Sequence, residues 1–89
     1  DMDVRAVVGA NVRRLRLTAD LSQEQLAERM GVDRAYVSGL ELGRRNPTIV
    51  TLWHISEALS VQPATLLEPQ NITAKATDGP QKRAPRRSR

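Results

Sequence analysis

The sequence predicts an all-α fold: a compact domain of five short helices that includes a helix-turn-helix unit across residues 21–42. Three observations carry that expectation. Apolar residues recur at helical spacings of three and four, capping residues and glycines punctuate the chain, and two of the segments lie only about three residues apart.

The first helix begins at Val4 and runs to about Leu17, with Val8, Val12 and Leu15 on one face and Arg5, Arg13 and Arg14 interleaved. A capping box opens the second: Ser22 stands three residues before Gln25, and Leu21 and Leu26 occupy the positions of a hydrophobic staple. That helix is expected to end at Met30, because Gly31 can adopt the left-handed conformation that closes a helix. Asp33, between Val32 and Val37 as a second staple, is expected to cap a third helix through Leu42, terminated by Gly43. After Arg44-Arg45-Asn46-Pro47, Thr48 caps a fourth helix whose Ile49, Leu52, Ile55 and Leu59 form an apolar stripe. Pro63 at a first helical position, with Val61 and Leu66 as a staple, predicts a short fifth helix to about Leu67. A boundary follows. Residues 1–69 are read as the folded domain and residues 70–89, with Ile72 as their one large apolar side chain, as a disordered basic tail.

Composition narrows the chemistry. The 89 residues include no cysteine, which removes disulfides, thiolate metal sites and thiol nucleophiles, and the single histidine, His54, cannot assemble a metal site alone. No nucleophile stands with a base, no carboxylates pair and no glycine loop could cradle a phosphate, so neither an enzyme nor a cofactor is expected. No apolar run is long enough to span a membrane and no signal-peptide pattern occurs, so a cytoplasmic location is expected. The formal net charge of +4 is unevenly placed. Residues 1–69 carry eight arginines against nine carboxylates, whereas residues 70–89 carry six Lys and Arg side chains against Asp78 alone. Bulk charge therefore cannot give the folded part affinity for a polyanion; only arrangement on one face can.

The third helix shows such an arrangement. On a helical wheel Val37, Leu40 and Glu41 face one way, and Arg34, Ala35, Ser38 and Gly39 face the other. The second face is small and polar, which suits entry into a major groove about 12 Å wide. Arg16 lies one turn after Val12 and Glu41 one turn after Val37, both on inward faces and opposite in sign. A partly buried Arg16–Glu41 bridge between the first and third helices is therefore expected.

Leu21-Ser22-Gln23-Glu24-Gln25-Leu26-Ala27-Glu28-Arg29-Met30-Gly31-Val32, with Ser38 and the Glu41-Leu42-Gly43-Arg44-Arg45-Asn46-Pro47 stretch, resembles the Cro and phage-repressor (XRE) family of helix-turn-helix domains. Asp33-Arg34-Ala35-Tyr36-Val37-Ser38 is similar to the recognition helices of restriction–modification controller proteins and other stand-alone regulators. The resemblance implies a lambda-repressor-like fold and a sequence-specific DNA-binding regulator of transcription. It implies that Gln23 bonds a phosphate and braces the third helix, that Arg34 and Ala35 read bases, and that Arg44, Arg45 and Asn46 form a phosphate-contacting loop. Asp33, Tyr36, Ser38 and Gly39 complete the DNA-facing set. Gly39 stands where some relatives carry a long base-reading side chain, Leu42 where a polar residue is usual and Thr65 where an aromatic is common.

The expected partners are double-stranded DNA and a second copy of the chain, joined through Trp53, Leu59, Val61, Leu66 and Leu67 on the fourth and fifth helices. The basic tail is read as an electrostatic arm along phosphates, with a solubilising end as the alternative. A second reading gives the same fold to a protein-interaction module, an antitoxin or antiactivator, with secondary or no DNA contact.

Overall fold

The computed structural model describes residues 3–70, so the tail read as a basic arm lies outside the described residues. Four α-helices follow one another: α1 (Val4–Thr18), α2 (Gln23–Met30), α3 (Arg34–Glu41) and α4 (Ile49–Leu59). The expected fifth helix is instead a 3-10 segment, Pro63–Leu67. Pro63 lacks an N–H and only five residues are available, so the segment closes i→i+3 bonds such as the Thr65 N–H to the Gln62 carbonyl at 3.0 Å. No strand occurs among the described residues.

Local chemistry sets the boundaries. The capping box is complete, with the Gln25 N–H donating to Ser22 Oγ at 3.0 Å and the Ser22 N–H to Gln25 Oε1 at 2.8 Å. Thr48 Oγ1 accepts the Thr51 N–H at 3.0 Å and opens α4. Asp33 occupies the cap position of α3 but is exposed and makes no side-chain capping bond, contrary to expectation. Each helix ends on a residue with positive φ: Asp20 after α1, Gly31 after α2, Gly43 after α3 and Ser60 after α4. In each case the next N–H reaches back to a carbonyl five residues earlier, as from Arg44 to Gly39 at 2.9 Å, so the orphan carbonyls of the last turn are satisfied.

Val8, Val12, Leu26, Val37, Leu40, Ile55, Leu59 and Leu66 fill a single core to which all four helices and the 3-10 segment contribute. α1 packs on α3 and on the 3-10 segment, and α2 packs on α3 and α4. Asn11, buried on α1, donates from Nδ2 to the carbonyls of Leu66 at 2.8 Å and Glu68 at 2.9 Å, which fastens the chain end to α1. The stripe expected on α4 is incomplete: Ile55 and Leu59 are buried, but Ile49 is 84% exposed because the first turn of α4 projects past the core. No helix among the described residues is long and apolar enough to cross a membrane.

Gly9 decides how closely α1 approaches α3. A Cβ at this position would collide with the Leu40 carbonyl oxygen and lie 2.8 Å from that of Glu41, both backbone atoms that cannot swing aside. The Gly9→Ala variant is therefore expected to be less stable by about 2 kcal/mol, although alanine is the better helix former. A melting temperature equal to or above that of the parent would contradict this close contact.

Candidate nucleic-acid interface

The inward face of α3 is held by a buried polar junction. The Arg16 guanidinium spans the Glu41 carboxylate, Nε to Oε2 at 2.6 Å and Nη2 to Oε1 at 3.0 Å, with side chains only 8% and 3% exposed. Arg16 Nη1 also donates to the Leu21 carbonyl at 2.8 Å, and Gln23 Nε2 donates to Glu41 Oε1 at 3.0 Å. α1, the start of α2 and the end of α3 thus meet at one carboxylate. Hydrogen bonding to Glu41 holds the Arg16 guanidinium above its ordinary arginine value, against the opposing pull of burial. The bidentate fork fixes direction as well as distance, so the junction sets the roll of α3 about its axis.

That roll turns Arg34 and Ala35 fully outward, leaves Ser38 and Gly39 half-buried, and buries Val37 and Leu40. Gly43, at φ 76°, then reverses the chain tightly, and a Cβ there would stand 3.2 Å from Ala6 Cα on α1. The reversal carries the exposed Arg44, Arg45 and Asn46 back alongside α3. Arg44 and Arg45 join Arg34, Ala35, Ser38 and Gly39 around a depression of about 360 Å³. Three arginines from two segments converge on one small-residue helix face, a geometry fitted to polyanion contact. Tyr36 is half-buried against the core, with the Arg45 guanidinium carbon 5.1 Å from its ring centroid. Gln23 does not line this depression; its amide is engaged on Glu41 at the inward junction.

The residues offered to a second copy divide. Leu59 and Leu66, at 7% and 0% exposure, are enclosed in the chain's own core and present nothing to a partner, because α4 and the 3-10 segment turn them toward α1 and α2. Val61 is half-buried, whereas Trp53 and Leu67 are open at 54% and 46%. Ile49 and Val50, on the same first turns of α4 as Trp53, are exposed large apolar residues that helical periodicity had assigned inward or passed over. Only the adjacency of Ile49-Val50 after the Thr48 cap hinted at them, since residues about 100° apart cannot both lie at the centre of one apolar stripe.

A helix-turn-helix family model matches residues 12–66, and the chain belongs to that family. It is 43% identical to the uncharacterized HTH-type transcriptional regulator y4dJ of Sinorhizobium fredii over 85% of this chain and 99% of that one. The fold matches the crystal structure of the hypothetical transcription factor NHTF from Neisseria with a TM-score of 0.75 and 38% identity, over 83% of this chain and 85% of that one. It also matches the restriction-modification controller protein C.AhdI from Aeromonas hydrophila with a TM-score of 0.67 and 40% identity, over 70% of this chain and 94% of that one. The resemblance to XRE-type stand-alone regulators thus holds at the level of family and fold.

The junction makes a measurable claim. Arg16→Ala strands a carboxylate that is 3% exposed and should cost about 3–5 kcal/mol, whereas Arg13→Ala, at an exposed position on the same helix, should change stability by less than about 0.5 kcal/mol. Denaturant unfolding of the two variants checks this. Equal midpoints would show that the junction carries no stability.

Proposed function

We propose that the chain is a cytoplasmic, homodimeric transcriptional regulator that inserts α3 into the major groove of a pseudo-palindromic operator. The observation that carries this reading is the asymmetry of α3. Its inner face is locked to α1 and α2 through Glu41, while its outer face offers Arg34 and Ala35 in the first turn, with Arg44 and Arg45 on the adjoining rim. In this arrangement Arg34 can bond guanine O6 and N7 together, and the Ala35 methyl can pack on thymine. Arg44 and Asn46 bond phosphates and set the register of the domain. Belonging to a family whose relatives are described as transcriptional regulators and controller proteins supports the same conclusion, and no catalytic role enters it.

The second copy joins through Ile49, Val50, Trp53 and Leu67, exposed apolar side chains on α4 and the 3-10 segment. Two-fold symmetry then places two recognition helices about 34 Å apart, with half-site centres about 10 base pairs from each other. Residues 70–89, with six Lys and Arg side chains, add phosphate contacts without reading bases.

Two substitutions separate reading from gripping. Arg34→Ala should remove about 1–3 kcal/mol of discrimination at one base pair of each half-site, whereas Arg44→Ala should weaken operator and random duplex alike. Titrations of both variants against operator and base-substituted duplexes measure the difference, and an unchanged operator-to-random ratio for Arg34→Ala would refute the assignment of α3.

Assembly has its own readout. Light scattering at micromolar concentration should give twice the 9.9 kDa chain mass, and Trp53→Glu should return it to a single chain. A parent protein that is a strict monomer would rule out the two-fold arrangement.

A further inference from the structure

The middle of α3 carries a glycine, Gly39, where the helix faces the depression lined by Arg34 and Arg44. The space in front of it is occupied by Arg45. A Cβ on Gly39 would lie 3.0 Å from Arg45 Nε, 3.4 Å from its Cγ and 3.6 Å from its Cδ. The side chain of a loop residue therefore lies flat across the helix at the one position that offers no side chain of its own. Two features hold it there. The Arg44 N–H donates to the Gly39 carbonyl at 2.9 Å, so the backbone of the loop is pinned to the same residue, and the Arg45 guanidinium lies 5.1 Å from the centre of the Tyr36 ring, one turn earlier on α3.

We propose that Arg45 is a base-reading residue: its guanidinium, laid over Gly39 and stacked on Tyr36, supplies from the loop the reading group that the middle of α3 lacks. This rests on the DNA-reading function proposed above and assigns Arg45 a role different from that of its neighbour Arg44. A phosphate-gripping arginine needs only reach and charge. Arg45 is instead ordered along a helix face that enters the groove, which lowers the entropy lost when its fork engages a base edge. Guanine, with two acceptors in the plane the fork can span, is the base that fits. Gly39 is then a specificity device: a Cβ there already presses on Arg45 Nε at 3.0 Å, and a longer side chain occupies the space in which Arg45 lies. Tyr36 acts as a positioning residue, through the platform its ring gives the guanidinium.

The test uses the full chain and the duplex it enriches from random double-stranded DNA, with affinities measured at one salt concentration for that duplex and for every single-base substitution in a half-site. Arg45→Ala and Arg45→Lys should each flatten preference at one guanine-containing pair by about tenfold, at a position different from the one that Arg34→Ala flattens. Lysine keeps the charge and loses the fork, so a purely electrostatic contact would survive in Arg45→Lys. Gly39→Leu should melt no lower than the parent, since leucine favours the helix over glycine and only a flexible side chain must move, yet lose preference at the same pair as Arg45→Ala. Uniform weakening of all duplexes by Arg45→Ala, or full preference retained in Gly39→Leu, overturns the inference while leaving DNA reading by α3 intact. If the parent enriches no sequence at all, DNA reading and this inference fall together.

Discussion

Glu41 ends α3 on its inward side, where a carboxylate without partners would be costly to bury. Arg16 supplies two bonds from α1, Gln23 a third from the start of α2, and the third Arg16 guanidinium nitrogen, Nη1, donates to the Leu21 carbonyl. The backbone beside this junction has no slack, because α1 meets the Leu40 and Glu41 carbonyls at Gly9 with no room for a Cβ. A buried ion pair is a weak source of net stability, since desolvation offsets much of the attraction. Its contribution here is geometric: three segments can satisfy one carboxylate only at one relative orientation, and that orientation decides which side of α3 faces water.

The exposed face follows from this constraint. With Val37, Leu40 and Glu41 directed inward, Arg34, Ala35 and Ser38 are left outward or at the edge, and the Gly43 reversal sends the arginine loop back along the same side. The protein thus concentrates positive charge locally even though its folded part is close to neutral overall. Polyanion affinity drawn from such placement is sensitive to orientation in a way that affinity from bulk charge is not. The junction at Glu41 therefore connects packing energetics to the chemistry available at the surface.

Much of this was legible in the sequence because it rests on local rules. Ser22 and Gln25 announced the start of α2, Gly31 and Gly43 the ends of α2 and α3, and the opposite charges of Arg16 and Glu41 stood on inward faces of two helices. What escaped was set by tertiary context. Asp20 and Ser60 close α1 and α4 with positive φ, a conformation uncommon outside glycine, so neither residue type announces a helix end as Gly31 and Gly43 do. Gly9 reads locally as a helix weakener, and its value appears only when α3 is laid against it. Leu59 and Leu66 were indistinguishable by periodicity from partner-facing residues, since a stripe shows that a face is apolar and not what covers it. The last element was too short, and too close to Pro63, to become an α-helix. Arg45 lies over Gly39 through a loop reversal that no helical wheel represents.

The central claim is that the locked orientation of α3 creates the surface that meets DNA. Backbone amide chemical shifts of the full chain, followed by NMR during titration with its preferred duplex, test it most directly. The account predicts that the largest changes fall on residues 34–39 and 44–46, with the Arg16, Gln23 and Glu41 junction unbroken. Changes concentrated on Ile49, Val50 and Trp53, with α3 unaffected, would contradict it.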